Sequence, residues 1–417
     1  MPSTLRTVFS GRMLVTVLTG FSSGLPLLLT GSTLQAWLVD AKVDLTSIGL
    51  FALVGLPYTL KFLWAPLLDR FVPPYLGRRR GWMLSVQLVL VLAIAGLGLA
   101  DPTTHPWHIA ALALLLAFMS ATQDIVLDAY RRELLPEAEL GLGSSLFVNG
   151  YRVAMLASGA MALFLADLLP WHSVYLIMAG FMGVGIVTTL LAPEPQVDAP
   201  PPRTLREAVV EPFVDFFRRP GALTILSFIL LYKIGDQMAS SMTTPFVLGL
   251  GFSKTQLAAV VKTFGMAATI GGGFAGGLLM LRMGIRRALW LFGIAQASAI
   301  LGYAGLAQLG PVTWGLALAI TLEMLTAGMG TSAYVAYMAS LTNKRFTATQ
   351  YALFSSLMGI PRVFAAAPTG WIAAHLGWSG YFVFCTLAAI PGLALLRLVL
   401  PADDQPDDTR TTTGQPG

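Results

Sequence analysis

The stretch SATQDIVLDAYRREL, residues 120–134, sets Asp124 and Asp128 four apart in an otherwise apolar run. Residues i and i+4 share a helix face. A carboxyl group shielded from water beside a like neighbour holds its proton more readily than one in solution. A pair of this kind takes up a proton when water reaches it from one side and releases it to the other, which is the chemistry of a proton-coupled carrier. A structural role competes with this reading. Asp124 would then pair with Arg152 or Lys61, and Asp128 with Arg131 and Arg132 below it. A pair that breaks on protonation serves both roles.

Seven further ionisable residues stand in apolar surroundings: Lys61, Arg152, Lys233, Asp236, Lys262, Glu323 and Arg362. On insertion scales a lone charge at mid-membrane costs about 2.5–3.5 kcal/mol, so nine of them would cost roughly 20–30 kcal/mol. They must pair, reach the interface or line a wet cavity. Lys233 and Asp236, three apart, are expected to neutralise each other, and Glu323 to neutralise Lys262 or Arg362. Five bases against four acids leave an excess positive charge, which favours an anionic substrate. Gln35, Gln123, Asn149, Tyr151 and Gln237 extend the candidate substrate site. Trp37 and Trp64 are candidates for stacking on sugar rings or for anchoring at the interface.

These residues have to be positioned by membrane helices. The 417 residues are 55% hydrophobic and 11% charged, with a mean hydropathy of +0.71, against about 25% charged in soluble proteins. Twelve apolar segments, each long enough to cross roughly 30 Å of hydrocarbon, lie at 12–38, 45–69, 82–100, 107–130, 140–168, 172–192, 221–250, 253–281, 286–308, 312–340, 346–375 and 378–400. The first lacks a small-x-small cleavage site and reads as a span rather than a secretory signal. With both termini cytoplasmic, 19 of the 26 basic residues fall inside and only Lys42 and Lys254 outside. That asymmetry is the rule for membrane topology. It explains the net charge of +5 without a nucleic-acid partner.

The expected organisation is an N-terminal six-helix bundle (1–192), a cytoplasmic linker (193–220), a C-terminal six-helix bundle (221–400) and a disordered cytoplasmic tail (401–417). The linker opens with a proline-rich run. It continues as RTLREAVVEPFVDFFRR, in which Leu205, Val209, Phe213 and Phe216 recur at helical spacing. This predicts an amphipathic helix on the inner surface. Gly-x-Pro at 24–26, 55–57 and 359–361 predicts kinks. GLGSSLFVNG and TIGGGFAGGLL predict close helix packing. Cys385 is the single cysteine, and the four histidines fall in outer loops or at outer helix ends away from the buried carboxylates. No phosphate loop or metal-ligand spacing is present, so neither an enzyme, a metal nor a cofactor is expected.

After the second span come Asp69 and Arg70, then GRRR at 77–80. After the eighth, GGLLMLRMGIRR (276–287) repeats the layout with Leu281 in place of Asp69. This pattern resembles the loop motif of the major facilitator superfamily. The resemblance implies an all-α membrane protein whose two six-helix bundles rock about a midplane site. It makes Asp69, Arg70, Arg78, Arg131 and Arg132 candidate gating residues. Longer stretches (SGLPLLLTGSTLQAWL, KFLWAPLLDRFVPPYLGRRRGW, SATQDIVLDAYRRELLP and GYRVAMLASG) resemble the AmpG muropeptide permeases of Gram-negative bacteria.

That resemblance implies import of anhydromuropeptides across the inner membrane, driven by the proton gradient, for peptidoglycan recycling and in some species β-lactamase induction. Asp124 and Asp128 stand at the family's QDIVxDA positions, which makes them the expected proton-coupling pair. A sugar-peptide substrate offers carboxylates to Arg152, Lys233 or Lys262 and hydroxyls to the Gln and Asn side chains. The expected partners are that substrate, protons and the bilayer, for a monomer. The rival readings are a carrier for another bulky anion such as acetyl-coenzyme A, and a non-transporting receptor.

Overall fold

The computed structural model describes residues 6–43, 51–102, 106–196, 200–365 and 368–399. Among these residues all regular structure is helical. Nine helical stretches are long and apolar enough to cross a membrane. In the first half these comprise α1 (Gly11–Leu29) with α2 (Ser32–Asp40), then α5 (Arg78–Leu99), α6 (Pro106–Leu134), α7 (Glu137–Leu156) continuing into α8 (Ala162–Ala166), and α9 (Trp171–Phe181) with α10 (Gly183–Leu191).

The second predicted span is broken, in part at the kink expected for Gly55–Pro57. Residues 44–50 lie outside the described part. From Phe51 the chain is a series of short turns that includes α3 (Leu56–Leu60) and α4 (Ala65–Arg70). Pro57 and Pro66 sit at the starts of these two helices, where the missing N–H is harmless, and each breaks the helix behind it. The break leaves Lys61 on a 3₁₀ turn between the two pieces.

The linker carries α11 (Leu205–Phe217). The second half holds α12 (Ala222–Leu231), α13 (Ile234–Gly249), α14 (Lys254–Val260), α15 (Met266–Leu309), α16 (Thr313–Ser340), α17 (Thr347–Phe364), α18 (Thr369–Ala388) and α19 (Ile390–Val399). Within α15, Gly284 has φ 76° and ψ 165°, so one 47-residue apolar stretch contains a turn where two spans were expected to meet. Gly377 (φ 65°) interrupts α18 in the same way. With the Gly284 break, the broken second span, and α17 joined to the part of α18 before Gly377 as one crossing, the helices accord with twelve crossings. The expected disordered tail, 401–417, lies outside the described residues.

Glycine seams hold each half together. A Cβ on Gly20 would lie 2.2 Å from the carbonyl oxygen of Phe147, which presses α1 backbone to backbone on α7. Gly272 has the same relation, 2.1 Å, to the carbonyl oxygen of Leu325 across α15 and α16. The two small-residue stretches singled out in the sequence meet each other across the halves. Gly273 abuts Asn149, and Gly277 abuts Ser145.

The linker helix is better anchored than a surface helix need be. Thr204 caps it in a box with Glu207, the arrangement that satisfies free N–H groups at a helix start. Ala208, Pro212 and Phe216 are buried, and Phe216 packs edge-on against Phe354 of α17. Leu205 and Val209, expected on the same face as Phe216, are instead exposed together with Val210, Val214 and Phe217. The helix therefore has two apolar faces. One is docked on the second half, and the other is turned outward.

Candidate functional site

The ends of α4, α6, α10, α16 and the start of α17 gather with the linker at one end of the molecule, here the linker end. Asp69, fully buried at the end of α4, organises it. It accepts from Arg78 Nη2 and Arg79 Nη2, each at 2.9 Å. From the other half it accepts Thr349 N and Thr349 Oγ1, both at 2.8 Å, and Ala348 N at 3.3 Å. Those amides belong to the first turn of α17, whose partial positive charge favours an anion. Asp69 thus caps a helix of the opposite half. Leu281, its counterpart in the repeated motif, has no oxygen to offer.

Arg79 carries the network inward. Its side chain is completely buried and grips Glu133 of α6 through Nε at 2.9 Å and Nη2 at 2.6 Å. Glu194 caps the start of α5, accepting from Arg79 N at 2.7 Å and Arg80 N at 3.0 Å. Arg78 also donates to the carbonyl oxygen of Arg345, 3.3 Å away. Of the predicted gating residues, Arg70 lies over the ring of Phe71 and Arg132 pairs with Glu137.

One turn above, Asp128 pairs with Arg131 at 3.0 Å. The same Nη2 of Arg131 donates to Tyr351 Oη of α17 at 3.0 Å. The guanidinium lies over Phe147 (4.3 Å) and Tyr351 (5.5 Å), an arrangement that favours cations. Asp124 accepts a 2.5 Å hydrogen bond from Ser23 Oγ of α1. Lys61 is 7% exposed and faces both aspartates electrostatically. Of the two predicted partners for Asp124, Lys61 is therefore adjacent, whereas Arg152 donates to the carbonyl oxygen of Thr269 at 2.9 Å. Asp128 takes the arginine below it, as expected.

The middle of the molecule is tied across α7 and α15. Asn149 Nδ2 donates to the carbonyl oxygen of Ile270 at 3.1 Å, and Ser145 Oγ donates to that of Gly273. Gln123 is wholly buried and donates to the carbonyl oxygen of Ser22 at 2.7 Å, so here it belongs to the wall between α1 and α6. Tyr151 and Gln237 are half-buried, and Gln35 is exposed on α2. Trp37 stacks on Trp171 and lies tilted against Tyr175, whereas Trp64 donates to Thr122 Oγ1 at 3.0 Å.

In the second half Lys233 pairs with Asp236 at 3.0 Å, as the spacing predicts, and donates to Gln296 Oε1 at 3.2 Å. Glu323 stands near this pair, on the facing helix α16. It faces Asp236 electrostatically and accepts from Tyr303 Oη at 3.5 Å. The side chains of Lys262 and Arg362 lie outside the described residues. A cavity of about 500 Å³, lined by Ser240, Thr243, Thr244, Leu257, Glu323 and Met324, opens beside Glu323.

Sequence reasoning missed Arg79, Glu133, Thr349, Tyr351 and Ser23. Arg79 was one of three consecutive arginines, and nothing in a run of identical residues tells which one turns inward. Thr349 and Tyr351 belong to the site only because α17 crosses α4 and α6. Among the described residues no group of three or more His, Cys, Asp or Glu is placed to share a metal ion.

Comparison with known proteins places this geometry. The family model described as Major Facilitator Superfamily matches residues 13–366. The chain is 47% identical over 394 residues to the anhydromuropeptide permease of Escherichia coli (strain K12), covering 94% of this chain and 80% of that protein. It is 34% identical over 394 residues to putative transporter AmpG 4 of Rickettsia felis, covering 90% and 94%. Among solved structures, the E. coli fucose:proton symporter FucP superposes with a TM-score of 0.71 at 12% identity, over 93% of this chain and 97% of that one. That last likeness bears on the fold alone.

Proposed function

The chain belongs to the major facilitator superfamily and, within it, to the anhydromuropeptide permeases, and on that premise we propose that it imports anhydromuropeptides across the bacterial inner membrane by proton symport. The single observation that carries this reading is the 47% identity to a named anhydromuropeptide permease over 94% of the chain. It acts as a carrier and not as an enzyme, uses the proton gradient and no cofactor, and works as a monomer with both termini in the cytoplasm.

The distribution of basic residues supports a cytoplasmic linker end. The bonds of Asp69 and Arg131 across the halves support a state sealed toward the cytoplasm. In that state a substrate and a proton enter from the periplasm. Arg152 and Lys233 attract the peptide carboxylates, and the Asn149 and Gln237 amides offer bonds to sugar hydroxyls. A proton taken up at the Asp124–Asp128 pair and resting on Asp128 neutralises the acceptor that orients Arg131. The bond from Arg131 to Tyr351 then loses its ionic backing, the seal loosens, and the two bundles (1–192 and 221–400) rock open to the cytoplasm. Deprotonation there restores the ion pair and resets the gate.

The test is uptake of defined anhydromuropeptides into vesicles holding the purified protein, with and without an imposed pH difference. Uptake of the sugar-peptide, raised when the outside is more acidic and not matched by coenzyme A esters, supports the reading. Binding without accumulation contradicts it.

A further inference from the structure

The mechanism above leaves unused a second buried carboxyl pair. Asp236 on α13 and Glu323 on α16 face one another electrostatically. Two ionised carboxylates do not hydrogen-bond, because both only accept. They repel as two charges in a water-poor site, and a single proton held between them relieves that repulsion. Lys233, 6% exposed, sits 3.0 Å from Asp236 and balances a single negative charge. Tyr303 donates to Glu323 from α15. Tyr232, at the end of α12, also faces Asp236. The described charged groups around the pair thus amount to one lysine and two carboxyls.

Two further observations point to an exchangeable ligand. Gln296, 5% exposed, accepts from Lys233 through Oε1, while its buried Nε2 has no partner, and neither has Asp236 Oδ1. Unpaired buried polar atoms of this kind are the exception in folded proteins. The cavity of about 500 Å³ reaches Glu323 past the hydroxyls of Ser240, Thr243 and Thr244. Hydroxyls thus line the route from the cavity to Glu323.

We propose that Asp236 and Glu323 form a second proton site, in the C-terminal half, which holds one proton between them and exchanges it through this cavity. With the proton in place the cluster is neutral: one ammonium, one carboxylate and one carboxylic acid. Release of the proton leaves two carboxylates against Lys233, a net charge of −1. That charge would turn an anionic substrate away from Lys233, so proton and substrate anion are held together and released together. The site assigns Asp236 and Glu323 to the proton rather than to the substrate. This assignment rests on the transport reading above for its consequence, but not for its chemistry.

Infrared difference spectroscopy of the wild-type protein, labelled with heavy-isotope glutamate, reads the proton directly. The expected result is a carboxylic-acid band at neutral pH that shifts with the label and with deuteration. That band should be lost in Glu323→Gln while the Asp124 and Asp128 signals persist. In vesicles, Glu323→Gln is expected to exchange substrate across the membrane at near wild-type rate, yet to lose at least tenfold of gradient-driven accumulation. A wild-type spectrum without a label-sensitive acid band overturns the proposal and needs no variant to fold. So does a Glu323→Gln protein that folds normally but no longer exchanges substrate, since that makes the site a substrate contact. If wild-type protein exchanges no anhydromuropeptide at all, the transport reading fails while the spectrum still decides the proton site.

Discussion

Asp128 and Tyr351 hold the same nitrogen of Arg131 from opposite halves of the chain, each at 3.0 Å. A carboxylate in the first half is thereby joined through one buried guanidinium to a phenol in the second. The state of the carboxylate and the closure of the gate become a single question.

Tyr351→Phe removes the hydroxyl and keeps the ring beneath Arg131. A hydrogen bond to a charged group contributes about 1.5–3 kcal/mol, so the closed state should lose roughly ten- to a hundredfold of its population advantage. A cysteine placed at Ala348, which is fully buried in the closed seam, reports the change. Its alkylation from the linker side is expected to speed up in the Tyr351→Phe background. An unchanged rate means that the bridge does not hold the gate.

Asp69→Ala acts on two supports at once. It leaves Thr349 and Ala348 without their cap, a loss of about 0.5–2 kcal/mol. It also removes one of two carboxylates from Arg79, whose side chain is completely buried. Breaking a buried ion pair costs about 3–5 kcal/mol. The expected outcome is a melting temperature lowered by several degrees and a linker end accessible to alkylation. Retention of both properties at wild-type level contradicts the capping account.

Two glycine substitutions separate folding from gating. Gly272→Val drives a side chain into the Leu325 backbone within one half, where a Cβ already lies 2.1 Å from oxygen. It should abolish the yield of folded protein. Gly273→Val meets Asn149 of the other half, 2.5 Å from its Oδ1. It should yield folded protein that favours the state open at the linker end. Size-exclusion profiles read the first outcome and cysteine accessibility the second. Equal behaviour of the two variants contradicts the assignment of the seams.

The linker helix should stay docked over a wide pH range. Burial pushes the Asp215 carboxyl up, but bonds from Gln350, Asn343 and Arg219 outweigh it and hold the group below the usual aspartate range. The Glu207 carboxyl is likewise held low, first by the Arg203 amide and further by Thr204 N and Arg345. A carboxyl lowered by folding adds stability above its unfolded pKa and loses it as pH falls through the folded one. Hydrogen exchange across Leu205–Phe217, taken relative to the intrinsic amide rate at each pH, should therefore be unchanged from neutral pH down to about 5 and rise only below about 4. Asp215→Asn should raise it at neutral pH. Release of the wild-type helix near pH 6 contradicts this.

The membrane class, the pattern of spans, the linker helix and the Lys233–Asp236 pair were legible in the sequence, since each depends on local composition or on spacing along one helix. The meeting of GLGSSLFVNG with TIGGGFAGGLL was half legible. Small residues signal a close approach without naming the partner. What stayed hidden depends on where distant helices cross. Glu323 meets Asp236 because α13, α15 and α16 converge, and Asp69 caps α17 across a gap of 280 residues in sequence. The second span was read with one kink, at Gly55–Pro57, and not with the second break at Pro66, and the linker helix was misread because a single apolar face was assumed where it has two.

The central claim is that the Asp124–Asp128 pair couples a proton to anhydromuropeptide import. The most direct measurement is accumulation of labelled anhydromuropeptide in vesicles bearing Asp124→Asn, under an imposed inward proton gradient. Wild-type protein should concentrate the substrate above the external level, whereas Asp124→Asn, folded and still able to exchange substrate, should reach only equality. Accumulation by Asp124→Asn to the wild-type level, with the same response to acidification, would contradict the account.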